Sequence, residues 1–294
     1  MNKFTIVSMK DIHGVLTDCP PPGLLLGYAR FMGQGKEPVI HRVENSGYLV
    51  GWMVSISGQT EALPGRMYGF LFSEHAPVFD LDTLYKDLRR EFGGTWRVHL
   101  PPMSLGPKYE ATYKGHLGRY ENHSTFVLRG ETEEQYWACL KRVGRQGVEK
   151  ARKAGVVVKS GFGGAQMMQF LSLNVHKSAR VKSPAMNREE LSRLRAEFGD
   201  GLQLHVGFLD GRPIAAVMSV MVDSYGLLID NSSHEEAWDS NPNNLVVWEA
   251  VAELARRGAK LVGMGFSPPE HEGSARFKIH MGGEQAFCYT VGAR

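Results

Sequence analysis

Apolar, often β-branched runs bounded by glycine, proline and asparagine predict strands at Phe4–Met9, Val39–Val43, Tyr48–Ile56 and Trp96–Leu100. Glu44-Asn45-Ser46-Gly47, between the second and third, is a hairpin signal, because Asn and Gly accept the positive φ of a tight turn. Two helices complete this first pass. Leu24–Gln34 follows the Pro20-Pro21-Pro22-Gly23 stop, and Asp82–Phe92 carries Leu84, Leu88 and Phe92 at helical spacing before Gly93-Gly94 ends it.

A second, longer pass opens with the strand His123–Leu128 and with Thr132-Glu133-Glu134-Gln135, a capping-box pattern. The helix it starts sets Tyr136, Leu140, Val143, Gly147 and Ala151 on one stripe. Gly144 and Gly147 each cost about 1 kcal/mol relative to Ala inside a helix, which marks the place for a break. The strand Gly155–Lys159 and helices at Gln166–Lys177 and Arg188–Phe198 come next. Leu202–Phe208 and Pro213–Val222 flank Asp210-Gly211, the strongest hairpin signal in the chain. Then come a strand at Tyr225–Asn231, a helix at Leu245–Arg257 behind Asn241-Pro242-Asn243-Asn244, and a strand at Lys260–Phe266. The pattern is α/β with mixed sheets in two domains, 1–120 and 121–294. The boundary falls near 115–125, and the last strand is free to return to the first domain.

The 294 residues suit two domains of ordinary size. With 43% hydrophobic and 22% charged residues the composition is that of a globular protein. A net charge of +3 is too small to argue for nucleic-acid binding, so any anion site must come from local clusters. Cys19, Cys139 and Cys288 have neither metal-ligand spacing nor a disulfide pattern, which favours a reducing cytoplasm. The N-terminal residues lack a signal-peptide pattern, and no apolar stretch approaches the roughly 20 residues of a membrane span.

Four segments together resemble a known group of enzymes. Leu140–Val156 resembles the basic helix of the Fem family, the aminoacyltransferases that build peptidoglycan cross-bridges, and of their FemAB-like and GNAT-type relatives. Asp210-Gly-Arg-Pro-Ile-Ala-Ala216 resembles their second-domain hairpin. Ser240–Val251 with Arg257-Gly258 resembles the helix after the cofactor-side strand, and Gly273–Gly282 the Phe-Lys segment at the donor–acceptor junction. The resemblance covers roughly 123–285 and implies a tandem double GNAT-like fold and amide formation on an amine. The activated donor would be an aminoacyl-tRNA or an acyl thioester, without a tightly bound cofactor. The acceptor would be a small molecule or a cell-wall precursor. Two departures stand out. No heptad stretch is long enough for the Fem coiled-coil arm, and Ser240–Asn244 stands where CoA-dependent enzymes carry a glycine-rich pyrophosphate loop.

From this follow the candidate residues. Between Lys141 and Lys159 seven basic residues face one acid, Glu149, and Lys141, Arg145 and Arg152 would share a face. Arg145, Lys150, Arg152 and Lys153 could hold phosphates, or form a solvated helix face. The resemblance makes Lys278 and Phe277 the catalytic candidates, the lysine stabilising a tetrahedral oxyanion. Asn241, Asn243 and Asn244 precede a helix, as anion ligands or as plain caps. Asp230, near a strand end, is a candidate base or a simple turn residue. The eleven histidines form no ligand set, so no catalytic metal is expected. Neither a Ser-His-Asp nor a Cys-His arrangement is legible, which fits direct transfer. Two other readings stay open: a CoA- or carrier-protein-dependent N-acyltransferase of a small amine or amino sugar, and a non-catalytic binding protein on a GNAT scaffold.

Overall fold

The computed structural model describes residues 120–267 and 272–292, and before them 4–9, 30, 38–45, 48–56, 60–61, 70–72, 86–87, 90 and 96–100. The helices expected at 24–34 and 82–92 lie outside the described residues, except that Arg30, Lys86, Asp87 and Arg90 are helical. The chain divides into two compact units, one of 1–125, 266–270 and 286–294, the other of 126–265 and 271–285.

The first unit contains β1 (Phe4–Met9), β2 (Pro38–Asn45), β3 (Tyr48–Ile56), β4 (Thr60–Glu61), β5 (Phe70–Phe72) and β6 (Trp96–Leu100). Four of them form an antiparallel sheet in the order β1-β2-β3-β5. Asn45 pairs with Tyr48 at the end of the β2–β3 ladder, and the Ser46-Gly47 of the expected hairpin signal lie outside the described residues. β4 runs parallel to β6.

The second unit carries the sharper signals. Its elements are β7 (Tyr120–Arg129), α1 (Glu133–Cys139), α2 (Arg142–Lys153), β8 (Val157–Gly161), α3 (Gly164–Val181), α4 (Arg188–Phe198), β9 (Leu202–Leu209), β10 (Arg212–Val222), β11 (Tyr225–Ser233), α5 (Pro242–Arg256), β12 (Leu261–Ser267) and α6 (Glu272–His280). A final strand, β13 (Glu284–Gly292), pairs with β6 through Tyr289–Gly292. The sheet of this unit runs β7-β12-β11-β10-β9-β8. Asp210 and Gly211, with φ of 50° and 76°, make the β9–β10 turn with both central residues left-handed, as the sequence predicts. α5 is apolar on nearly every side, with Leu245, Val246, Val247, Trp248, Ala250 and Val251 buried beneath it. It packs on β9, β10 and β11. Gly207 lies against its Val246, so the alternation of β9 turns Leu204 and Val206 to the other face, which α3 covers. Among the described residues α3, at 18 residues, is the longest helix, and none has the length of a coiled-coil arm.

Where the sequence gives one helix from Thr132 to Ala151, the chain makes two. Thr132 caps α1 by accepting from Gln135 N at 3.3 Å, while Gln135 Oε1 accepts from Glu131 N at 2.6 Å, one residue before the expected partner. The break falls at Leu140–Lys141 and not at the glycines. Gly144 and Gly147 are interior contacts of α2, and with Val148 and Ala151 they form its buried side, leaving Val143 53% exposed. A Cβ on Gly144 would stand 2.1 Å from His280 O, and one on Gly147 2.6 Å from Asn244 Nδ2. Glycine is what lets α2 lie this close to α5 and α6. Gly144→Ala is therefore expected to lower stability by about 1–3 kcal/mol, an overpacking cost against backbone. Thermal melts beside Val143→Ala as a control would show it, and an unchanged melting temperature would mean that α6 gives way.

Candidate active site

The parallel ladder between β11 and β12 is three residues long, Tyr225–Leu227 against Leu261–Gly263. Just beyond it, Lys278 on α6 donates from Nζ to the Gly265 carbonyl at 3.0 Å. Phe277 and Ile279 pack against the hydrophobic core of the unit. That packing fixes α6 and directs the intervening lysine to the sheet. Burial lowers the Lys278 pKa from 10.5 to about 8. A desolvated ammonium beside a sheet opening can stabilise developing negative charge more strongly than a solvated one.

The basic residues of α2 separate into two groups. Arg142, Arg145, Lys150 and Lys153, with Gln146 and Glu149, line a shallow depression of about 580 Å³. None of these four cations has an ion pair or side-chain hydrogen bond among the described residues, so the depression carries uncompensated positive charge. Arg152 stands apart from them. It bonds Glu149 at 3.1 Å and Glu249 of α5 at 3.2 Å, and lies 5.9 Å over the Trp137 ring. Lys141 is the N-cap of α2, and of the expected Lys141–Arg145–Arg152 face Arg152 is drawn toward Glu249 and Trp137.

The asparagine cluster also sits differently from expectation. α5 begins at Pro242, not Leu245, which puts Asn243 and Asn244 inside its first turn. Asn241 is the cap residue, left-handed at φ 52°, yet its side chain makes no capping bond. Asn243 donates to Ser233 Oγ at 2.9 Å, and Asn244 is wedged between Gly147 and Met281 Sδ. Most amides of the turn before the helix are paired. His234 N, Ala237 N, Asn241 N and Asn244 N donate to the carbonyls of Ile214, His234, Trp238 and Asn241 at 2.9–3.2 Å, and Pro242 has no N–H. Trp238 covers the turn, its Nε1 on Ser233 Oγ at 2.9 Å and the Arg180 guanidinium 5.1 Å over its ring.

Asp230 lies within β11, not at its end, because Ser232 and Ser233 continue the ladder against Ala216 and Ala215. A bulge places one extra residue, Ile229, just before it. Its side chain is 1% exposed and ion-paired with Lys177 of α3, and Asn174 Nδ2 donates to its other oxygen at 3.1 Å. Asn174 Oδ1 in turn accepts from Met186 N at 2.8 Å. The carboxylate thus ties α3 and the chain after it to β11, with both oxygens engaged.

Sequence reasoning misses this α3 contribution, though a buried Asn174 between Leu171, Leu173 and Lys177 is its trace. It also misses His205. That imidazole is fully buried, with Nδ1 2.8 Å from Ser160 Oγ and Nε2 2.9 Å from Ser219 Oγ. Burial, with the Arg257 and Arg256 charges, pulls its pKa down to about 3. It is therefore a neutral core histidine, and Glu253 at 3.7 Å is no ion-pair partner at neutral pH. Gly161-Phe-Gly-Gly164 is the turn from β8 into α3. Among the described residues no group of His, Cys, Asp and Glu could hold a metal ion. No described helix is long and apolar enough to cross a membrane.

Residues 140–278 match the family model of the acetyltransferase (GNAT) domain, a span that contains the α2 cations, the turn before α5 and Lys278. Solved structures agree over nearly the whole chain. FemX aligns at 13% identity over 90% of each chain with a TM-score of 0.60. A tandem GNAT protein from the clavulanic acid biosynthesis pathway aligns at 12% identity over 99% of each chain with a TM-score of 0.57. A GNAT-family acetyltransferase from Colwellia psychrerythraea aligns at 10% identity over 99% of this chain and 100% of that one, at 0.51. The fold is the α/β GNAT fold with tandem relatives. No curated protein matches the sequence.

Proposed function

We propose that this protein forms an amide bond between an aminoacyl donor esterified to tRNA and the amine of a small molecule or cell-wall precursor. In the transfer the amine nitrogen attacks the ester carbonyl and a C–N bond forms. The resulting oxyanion is stabilised by Lys278. The C–O bond to the ribose then breaks, and the ribose hydroxyl leaves with the proton released by the amine, directly or through water. The Lys278 ammonium, half-buried on Gly265 O where β12 leaves the ladder, is the observation that carries this reading.

The donor assignment rests on the other two features. A diphosphate held by a GNAT turn needs several outward N–H groups, whereas here Ala237 N, Asn241 N and Asn244 N are taken up within the turn and Pro242 supplies none, which leaves Asn243 N as the amide on offer in the first turn of α5. The four unpaired cations of α2 suit the phosphates of a tRNA end or a nucleotide-linked precursor instead. A reducing cytoplasm, inferred from the cysteines, is where charged tRNA is found. The match to an acetyltransferase domain model favours a second reading, transfer from an acyl-CoA thioester.

Thermal shift with charged tRNA, acyl-CoA and a nucleotide-linked peptidoglycan precursor separates the two. A ligand at about 100 times its Kd adds about 2.7 kcal/mol of stability. Stabilisation by charged tRNA or the precursor is expected, and stabilisation by acyl-CoA alone would move the assignment to the second reading. For an Arg145→Ala, Lys150→Ala double variant, binding of charged tRNA is expected to weaken. The slope of log K against log salt should flatten by about 1.4–1.8, from two lost phosphate contacts. Arg152→Ala, whose guanidinium is held by Glu149 and Glu249, should leave that slope unchanged.

A further inference from the structure

Gly265 is inside β12 yet has a left-handed φ of 71°. Strand residues normally direct their carbonyls into the ladder, toward a neighbouring strand. A left-handed glycine within a strand interrupts that alternation and re-aims the groups around it. Here the carbonyl of this residue meets the Lys278 ammonium. Close packing does not explain the glycine. A Cβ built on it would have Leu228 O, at 3.7 Å, as its nearest neighbour, an ordinary contact. At Gly263, two residues earlier, a Cβ would stand 2.5 Å from the Tyr225 hydroxyl, and there the side chain is excluded by space. The two glycines of one strand therefore have different causes, one steric and one conformational.

We propose that Gly265 is a positioning residue, whose left-handed backbone turns its carbonyl onto Lys278 and so fixes the direction of the ammonium in the transfer reaction. The inference rests on the reading of Lys278 given above. It distinguishes two substitutions by their backbone preference. Alanine and asparagine both add a Cβ that fits, but asparagine tolerates the left-handed region and alanine is strained there.

The test measures the reactivity of Lys278 directly, without any substrate. The full-length parent, Gly265→Ala and Gly265→Asn are treated with trinitrobenzenesulfonate across a pH series, and modification at Lys278 is read by peptide mass spectrometry. The parent is expected to titrate with a midpoint near 8. Gly265→Ala should move that midpoint by at least about 0.5 pH unit, and Gly265→Asn should restore it. A midpoint unmoved in Gly265→Ala, or moved equally in Gly265→Asn, would overturn the inference. Transfer by Lys278→Met, assayed separately, tests the reading beneath it. Full transfer there would remove the role of the lysine, while the labelling would still report whether Gly265 orients it.

Discussion

Lys278→Met is expected to slow transfer by about 10²–10³-fold, the loss seen when one oxyanion-stabilising group is removed. Its melting temperature should not fall, because the substitution removes a charge that the fold holds at a desolvation cost and replaces it with an apolar chain of similar length. The same ammonium predicts two opposite pH trends. With its pKa lowered to about 8, the charged form disappears above that pH, so transfer should decline as pH rises through 8. Stability should move the other way. Between about 8 and 10.5 the unfolded chain still binds a proton that the folded chain has lost, and the contribution of this group to stability increases with pH. Initial rates and denaturant melts over that range check both, and a rate that stays level to pH 9.5 would remove the ammonium from the reaction.

Asp230→Ala is expected to be the most destabilising of these substitutions, by about 3 kcal/mol, the lower end for a broken buried ion pair. The lower end applies because Lys177 is 19% exposed and can turn toward water once released. Asn174 would lose a bond as well, and through it the anchor of Met186 N. The discriminating variant is Asp230→Asn. A general base reduced to an amide would cost about 10²–10⁴ in rate. A tie between α3 and β11 would instead lower the melting temperature and leave the rate per folded molecule within a few fold. The second outcome is expected, since the carboxylate is buried with partners on both oxygens.

Local chemistry explains what could be read from the sequence. The Asp210-Gly211 turn, the helix Arg188–Phe198 and the strand Phe4–Met9 are set by turn residues and periodicity, and appear at the expected positions. The bounds of α2 are not legible because a glycine in a helix costs the same whether it breaks the helix or admits a neighbour, and the neighbours, His280 and Asn244, lie more than 90 residues away. The start of α5 slipped for a related reason. Asn243 and Asn244 have the composition of a cap, but tertiary partners, Ser233 and Met281, draw them into the first turn. The resemblance points to Lys278, whereas its carbonyl partner depends on the left-handed backbone of Gly265, for which the sequence offers only a glycine. His205 bonds Ser160 and Ser219 on the neighbouring strands of the sheet, the Lys177–Asp230 tie joins helix to sheet, and no spacing along the chain announces either.

The contact between α2 and α6 has a mechanical consequence. Lys141 N donates to His280 O at 3.0 Å, and Gly144 seats its backbone against that same carbonyl. No flexible side chain separates the two helices at this joint, so it has no slack. Any side chain placed at position 144 would therefore have to displace the backbone of α6 rather than a rotamer.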